Sequence, residues 1–405
     1  MPCPVPWAVA LLLAAPAAFA QTDDATPFYA GGSVGVAHVS NVFRQSAATN
    51  SDTVVTTGLL AGADQRWGRQ RFTVDGALQN NRYSSNSALN NQSYTLRSNL
   101  AWQTVGNLSG TLSATSSRAL ADFNIGGGVD PIFKKNTERN DEYAAMARLG
   151  VLTRTTLEAG WTHRERGFSA AEYDRYVYRQ NTAQAGVYLT PGGNVKLGLV
   201  GRHTRGMYPR YPTGIVLNPD TLHLQVRSER NDFTRDDLDF TTAWSTGGNS
   251  SLTTRLSRSR LQNTLDALRD YTRTTGTLSW NWRPTAKVQL GVQYARDTGQ
   301  ESLSRAAEAN RVYTSWRINT SYALSGKVNL TASASRNRSQ LAADDGRALA
   351  DAFDRDQTYS LGASWAVTRG LSLGCQFNHA SRDSSVPQYV YSASSYGCTG
   401  QVLFY

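Results

Sequence analysis

The chain has 405 residues, 40% hydrophobic and 18% charged, a balance outside the range of disordered segments and compatible with one or two ordinary domains. Its formal net charge is +10, from 41 Lys+Arg against 31 Asp+Glu. The excess is Arg scattered at strand-like spacing with no dense basic run, which argues against a nucleic-acid partner.

The only long apolar run is the first one, Trp7 to Ala20, which is too short for a stop-transfer helix. It ends in Ala18-Phe19-Ala20, a small-x-small pattern before Gln21. The expectation is a cleaved signal peptide over 1–20 and a single mature domain over 21–405, although Met1-Pro2-Cys3-Pro4 carries no Lys or Arg. No second helix of membrane length follows, so a membrane-embedded mature chain must be a closed barrel.

From there on, apolar and polar residues alternate with period two, as in strands that bury one face. Thr272, Thr274, Gly276, Leu278, Trp280 and Trp282 share one face, and Arg273, Thr275, Thr277, Ser279 and Asn281 share the other. Val288, Leu290, Val292 and Tyr294 repeat the pattern, as do Trp316, Ile318 and Tyr322 opposite Ser315, Arg317, Asn319 and Ser321. These strands run to roughly a dozen residues, enough to cross a bilayer when tilted.

The connections alternate in length. Tight turns fall at 66–69, 106–107, 154–155, 191–193, 247–249, 284–286, 325–326 and 369–370. Longer polar loops fall at 40–51, 84–91, 119–138, 167–175, 206–233, 262–270, 298–309, 339–355 and 384–388. Eight turns and nine loops make 17 connections. The predicted fold is therefore all-β: a transmembrane antiparallel β-barrel of about 18 strands, with short periplasmic turns and longer extracellular loops. The predicted location is the outer membrane. Trp67, Trp102, Trp244, Trp282, Trp365 and Tyr405 lie beside the short turns. Tyr83, Tyr94, Tyr143, Tyr271, Tyr294 and Tyr389 lie toward the long loops, as two interfacial girdles require.

Chemistry-bearing motifs are scarce. His163, His203 and His379 share the apolar parity near the loop ends, where an amphipathic ring suits the interface. No spacing suggests a metal or cofactor. Gly370-Leu371-Ser372-Leu373-Gly374 matches a nucleophile-elbow pattern but sits at a tight turn into a strand, so no enzyme is expected. Cys375 and Cys398 lie on the last two strands. If their hairpin centres on Val386-Pro387, the two face each other, and either a disulfide or two thiols facing lipid results.

Several Arg fall on the polar, lumen-facing parity. Pairing arithmetic puts Asp75 near Arg97, Glu158 near Arg148, Asp239 near Arg255 and Asp297 opposite Arg273, which reads as ion-pair ladders along the wall, with a basic path for an acidic polymer as the alternative. Arg202 and Arg317 have no evident acidic neighbour, which makes them, with Tyr313, candidate substrate contacts. The longest connection, 206–233, is stiffened by Pro209 and Pro212. Its first half reads as a rigid flap that gates the pore, with Tyr208, Tyr211 and Arg210 available to a sugar. A plain surface loop is the alternative.

The stretch Thr275 to Lys287, Arg296-Asp297-Thr298-Gly299, Ser40-Asn41-Val42-Phe43-Arg44 and Asp232 to Asp239 together resemble the EpsL-type outer-membrane proteins of exopolysaccharide biosynthesis, within a wider class of β-barrel porins. The resemblance implies a role in exporting an exopolysaccharide or capsular polysaccharide, together with periplasmic and inner-membrane export proteins. It supplies no catalytic residues. A general diffusion porin for small solutes uses the same architecture and remains the alternative. In either case the barrel would sit among outer-membrane lipid and lipopolysaccharide.

Overall fold

The computed structural model describes residues 27–125, 130–150, 154–217, 224–265, 267, 270–298, 312–342 and 348–405. The expected signal peptide lies outside them. Eighteen strands follow in chain order: β1 (Phe28–Val39), β2 (Asp52–Trp67), β3 (Gln70–Tyr83), β4 (Asn91–Gln103), β5 (Leu108–Leu120), β6 (Thr137–Leu149), β7 (Thr155–Phe168), β8 (Tyr178–Gly192) and β9 (Val195–Leu217). Then come β10 (Leu224–Ser245), β11 (Ser250–Asn263), β12 (Tyr271–Trp282), β13 (Val288–Thr298), β14 (Val312–Ala323), β15 (Val328–Ala342), β16 (Ala348–Ala366), β17 (Leu371–Ser384) and β18 (Tyr391–Phe404).

Each strand pairs antiparallel with its sequence neighbours, and β1 pairs with both β2 and β18. Val36 stands opposite Val55 on one side and Cys398 on the other. The sheet is thus closed, and closure removes the unpaired edges that an open sheet must protect.

Closure sorts the two parities. The outer face carries large apolar side chains that water would not tolerate together: Leu59 is 67% exposed and its cross-strand partner Leu78 60%. A continuous apolar surface of this kind is stable only against lipid. The chain is an outer-membrane β-barrel. The inner face is mainly Ser, Thr, Asn, Gln and charged residues, of which Ser257, Ser259 and Thr275 are buried.

The short turns end in exposed Trp67, Trp244, Trp282 and Trp365 on the outer face, so the girdle on that side is as expected. Gly247 and Gly248 make one such turn with φ of 64° and 116°, a backbone that residues with a Cβ rarely adopt. The loop-side girdle is thinner than the sequence implied. Tyr94, Tyr143 and Tyr294 take outer positions by register, but Tyr271 and Tyr389 are buried and Tyr83 falls on the inner parity.

The connection 206–233 corrects a second expectation. It is no flap: β9 and β10 extend for 23 and 22 residues, one of the longest hairpins among the described strands. Leu217 still pairs with Leu224. Pro209 and Pro212 lie where the register slips, between Arg227/Ser228 and Glu229/Asn231, the kind of irregularity at which a strand accommodates proline. Residues 218–223 lie outside the described set.

Cys375 lies directly opposite Cys398 on the outer face, with Sγ atoms 2.10 Å apart.

Candidate functional site

The loop-side half of the lumen is where polar side chains converge, and it is built from two opposed parts.

The first is the connection between β5 and β6. A surface loop is expected to be polar, yet this one carries Phe123, Ile125 and Ile132, all buried. Phe123 packs with Val42, Leu89 and Phe43, its ring centroid 5.0 Å from that of Phe43. Ile125 and Ile132 pack with Tyr173 and Tyr176 of the β7–β8 connection. Tyr173 Oη donates to the carbonyls of Asp122 and Phe123 at 2.9 and 3.0 Å. Burial pushes the Tyr173 phenol above its ordinary pKa, so it stays a donor.

The polar clamp is centred on Asn124. Its Nδ2 donates to the carbonyls of Arg44 at 3.0 Å and of Gln388 and Tyr389 at 3.3 Å. Arg382 Nη1 donates to Asn124 O and Oδ1, both at 3.2 Å, while Arg382 Nε meets Asp356 at 2.6 Å. Gln388 Nε2 donates to Asp130 at 2.7 Å. Arg44 pairs with Asp122 at 3.2 Å and donates to Tyr391 Oη at 2.7 Å. Burial opposes charge on Arg44, but Tyr391 and Asp122 outweigh it and hold the guanidinium above its ordinary pKa. Arg44 also holds a left-handed φ of 54°, a strained conformation that its partners must fix.

Register shows where this loop lies. Arg382 shares the inner parity with Gln376 and Asn378, two residues apart on β17. Contact between Arg382 and Asn124 therefore brings the β5–β6 connection inside the mouth. It leans back past β4, β3, β2, β1 and β18 to reach β17.

The second part is the wall formed by β9 to β13. Arg202 meets Asp239 at 2.7 Å and Asp237 at 3.4 Å; Arg235 meets Asp237 at 2.9 Å and Asp297 at 3.8 Å; Arg255 meets Asp297 at 2.6 Å. Charges alternate along the chain, and the inner members Arg235, Asp237 and Asp297 are buried. Burying a lone charge costs several kcal/mol, so alternation is what lets these groups sit there ionised. Above them an aromatic cluster caps the wall: Tyr208, Tyr211, Phe233, Leu261 and Tyr271.

Several sequence expectations change here. Arg202 is not unpaired, because β10 places Asp237 directly opposite it. Asp239 pairs with Arg202 rather than Arg255, and Arg255 takes Asp297 instead. Asp297 is not opposite Arg273: Gly276 pairs with Arg296, so Asp297 falls level with Thr275. The hairpin pairs Trp282 with Leu290, so it is centred on Ala286 and not on Thr285, which shifts every partner by two residues. Asp75 does stand opposite Arg97, but its carboxylate accepts from Tyr29 Oη at 2.8 Å, and no ion pair with Arg97 forms. Arg148 and Glu158 are opposite and 3.5 Å apart, with Lys196 at 2.7 Å from the same carboxylate. Tyr208 and Tyr211 are buried in the rim cluster and present no face to a sugar, and Arg210 binds Asp174 at 2.8 Å. Tyr313 is buried on the inner face between Asp297 and Ser339.

Arg317 keeps its distinction: half-buried between Gln293 and Ser335, it has no carboxylate partner among the described residues. Asn124, Arg382, Arg44 and Asp122 were missed. The available signal was the apolar content of a loop that should have been polar. Among the described residues no cluster of His, Cys, Asp or Glu is arranged to hold a metal.

No protein-family model and no curated protein matches the chain. Solved structures that resemble it include the outer-membrane protein OpdK of Pseudomonas aeruginosa, at 10% identity and TM-score 0.47, covering 93% of this chain and 99% of that one. Another is OccK2 (OpdF) of Pseudomonas aeruginosa in complex with glucuronate, at 10% identity and TM-score 0.46, covering 93% and 98%. A third is a loop-deletion mutant of OmpT, an outer-membrane protein of Vibrio cholerae, at 10% identity and TM-score 0.36, covering 93% and 98%. Likeness at this level identifies no solute.

Proposed function

We propose that the chain is a passive outer-membrane channel for small polar solutes, with a preference for anions. The observation that carries this reading is the β5–β6 connection, fixed inside the mouth by Asn124, Arg382 and Arg44. A connection held in that place narrows the aperture, and pore diameter with lining charge sets what passes. The anion preference follows from Arg97 and Arg317, two half-buried lumen cations with no ion-pair partner among the described residues. Export of a polysaccharide, implied by the EpsL-type resemblance, has that resemblance alone behind it and needs the mouth loop to withdraw. Its periplasmic and inner-membrane partners are not required by a passive channel.

The test is the reversal potential under a KCl gradient across a planar bilayer, for the wild type and for Arg317→Glu. The wild type is expected to prefer chloride and the variant to lose or invert that preference. Equal selectivity in both contradicts the assignment. Liposome swelling in monosaccharides but not in dextran fragments is the accompanying size test, and swelling in dextran returns the reading to export.

A further inference from the structure

The lumen and its loops leave one charged surface unused: the outer face at the loop end. Followed up the barrel, the outer positions on several strands pass from apolar residues to Arg, while β7 reaches Glu165, paired with Arg179, and β10 reaches Asp236, paired with His203. On β16 the order is Trp365, Leu361, Tyr359, Arg355; on β6 it is Leu149, Tyr143, Arg139. On β11, Leu256 is followed by exposed Arg258 and Arg260. At the short-turn end the same parity ends in Trp, and no described strand places a charge outward there. The asymmetry is therefore one of leaflets.

Register gives a second observation. Arg118 on β5 stands directly opposite Arg139 on β6, and Arg338 on β15 directly opposite Arg355 on β16. Like charges opposite one another across strands destabilise a sheet. Arg139 has Asp141 at 2.7 Å and Arg355 has Asp383 at 3.4 Å, whereas Arg118 and Arg338 are exposed and form no ion pair among the described residues. Two guanidinium pairs held apart on a membrane-facing surface call for a shared multivalent anion. Guanidinium forks match phosphate oxygens bidentately.

We infer that these outward Arg pairs bind the phosphates of the outer-leaflet glycolipid, the lipid A part of lipopolysaccharide. The geometry fits that occupant in three ways. The pairs lie just beyond the aromatic ring, at headgroup depth. Among the described residues they occur only at the loop end, the side facing the glycolipid leaflet. Each pair leaves one arginine, Arg118 on β5 or Arg338 on β15, without a carboxylate, and the two pairs lie on different sides of the barrel, so each would take a phosphate of a separate lipid. The reading rests on the outer-membrane fold and is independent of what the lumen conducts.

The test uses the full mature barrel folded in detergent, titrated with diphosphorylated lipid A, with the same lipid A after enzymatic removal of its phosphates, and with phosphatidylglycerol. Folding of every variant is checked by heat-modifiable migration on gels. The wild type is expected to bind diphosphorylated lipid A at least roughly tenfold more tightly than the dephosphorylated form. The double variant Arg338→Gln/Arg355→Gln is expected to lose roughly tenfold in affinity, while Arg338→Lys/Arg355→Lys retains most of it. Unchanged binding in the folded Gln variant overturns the site. Equal binding of phosphatidylglycerol overturns the glycolipid assignment in favour of a general anionic surface.

Discussion

Asn124 and Arg382 lie 258 positions apart in sequence and are joined by two hydrogen bonds of 3.2 Å from a single guanidinium nitrogen. That contact fixes the β5–β6 connection against the inner wall of β17. Hydrogen bonds from a charged group are worth about 1.5–3 kcal/mol, so a few of them decide whether the loop stays in place. Asn124→Ala removes the Nδ2 donors and the Oδ1 acceptor together. The expected result is a folded barrel whose loop opens more often, seen as faster tryptic cleavage after Lys134 or Lys135. Cleavage at the wild-type rate means Asn124 holds nothing.

The same loop has a pH-sensitive tether. Lys134 pairs with Glu172 at 2.7 Å, and that bond holds the Glu172 carboxyl below the usual carboxylate range. A depressed folded pKa gives stability that is present above the unfolded value and lost as pH falls through the folded one. Asp174 nearby has the opposite sign, since burial raises its pKa, although Arg210 opposes that. The tether should therefore loosen only on acidification below the ordinary carboxylate range. Both groups of the pair are exposed, so the effect is small. Tryptic cleavage is unsuitable at that pH; pepsin cleavage should accelerate more steeply on acidification in the wild type than in Lys134→Ala. Identical profiles remove the tether from the account.

The face assignment makes a sharper demand. Ile318 and Asn319 are adjacent on β14, one on the exposed outer face and the other toward the lumen. Ile318→Arg places a charge in lipid near the midplane and should cost roughly 2–4 kcal/mol. Asn319→Arg should cost far less. Urea midpoints in lipid vesicles read both, and equal losses contradict the parity.

Strand number, parity and the long–short alternation of connections were legible in sequence because each depends on local rules: period two for faces, and turn residues for ends. The opposition of Cys375 and Cys398 was legible for the same reason, since one short hairpin sets its register. What failed depended on exact register or on contacts far apart in the chain. A hairpin centred on Ala286, one residue beyond the assumed centre, moved Asp297 from Arg273 to the level of Thr275, and its carboxylate meets Arg255 and Arg235. Arg202 looked unpaired because Asp237 and Asp239 lie 35 and 37 positions away, on the far side of an extended hairpin. The clamp at Asn124 joins loops from opposite ends of the chain, and no local pattern marks such a contact.

The proposed channel conducts small solutes through a lumen narrowed by its own β5–β6 connection. Single-channel conductance in planar bilayers tests it most directly, comparing the wild type with the double variant Asn124→Ala/Arg382→Gln shown to be folded. Discrete ohmic steps are expected in the wild type and a clear rise in step size in the variant. Absence of any conductance in the wild type, or steps of equal size in both, would contradict the proposal.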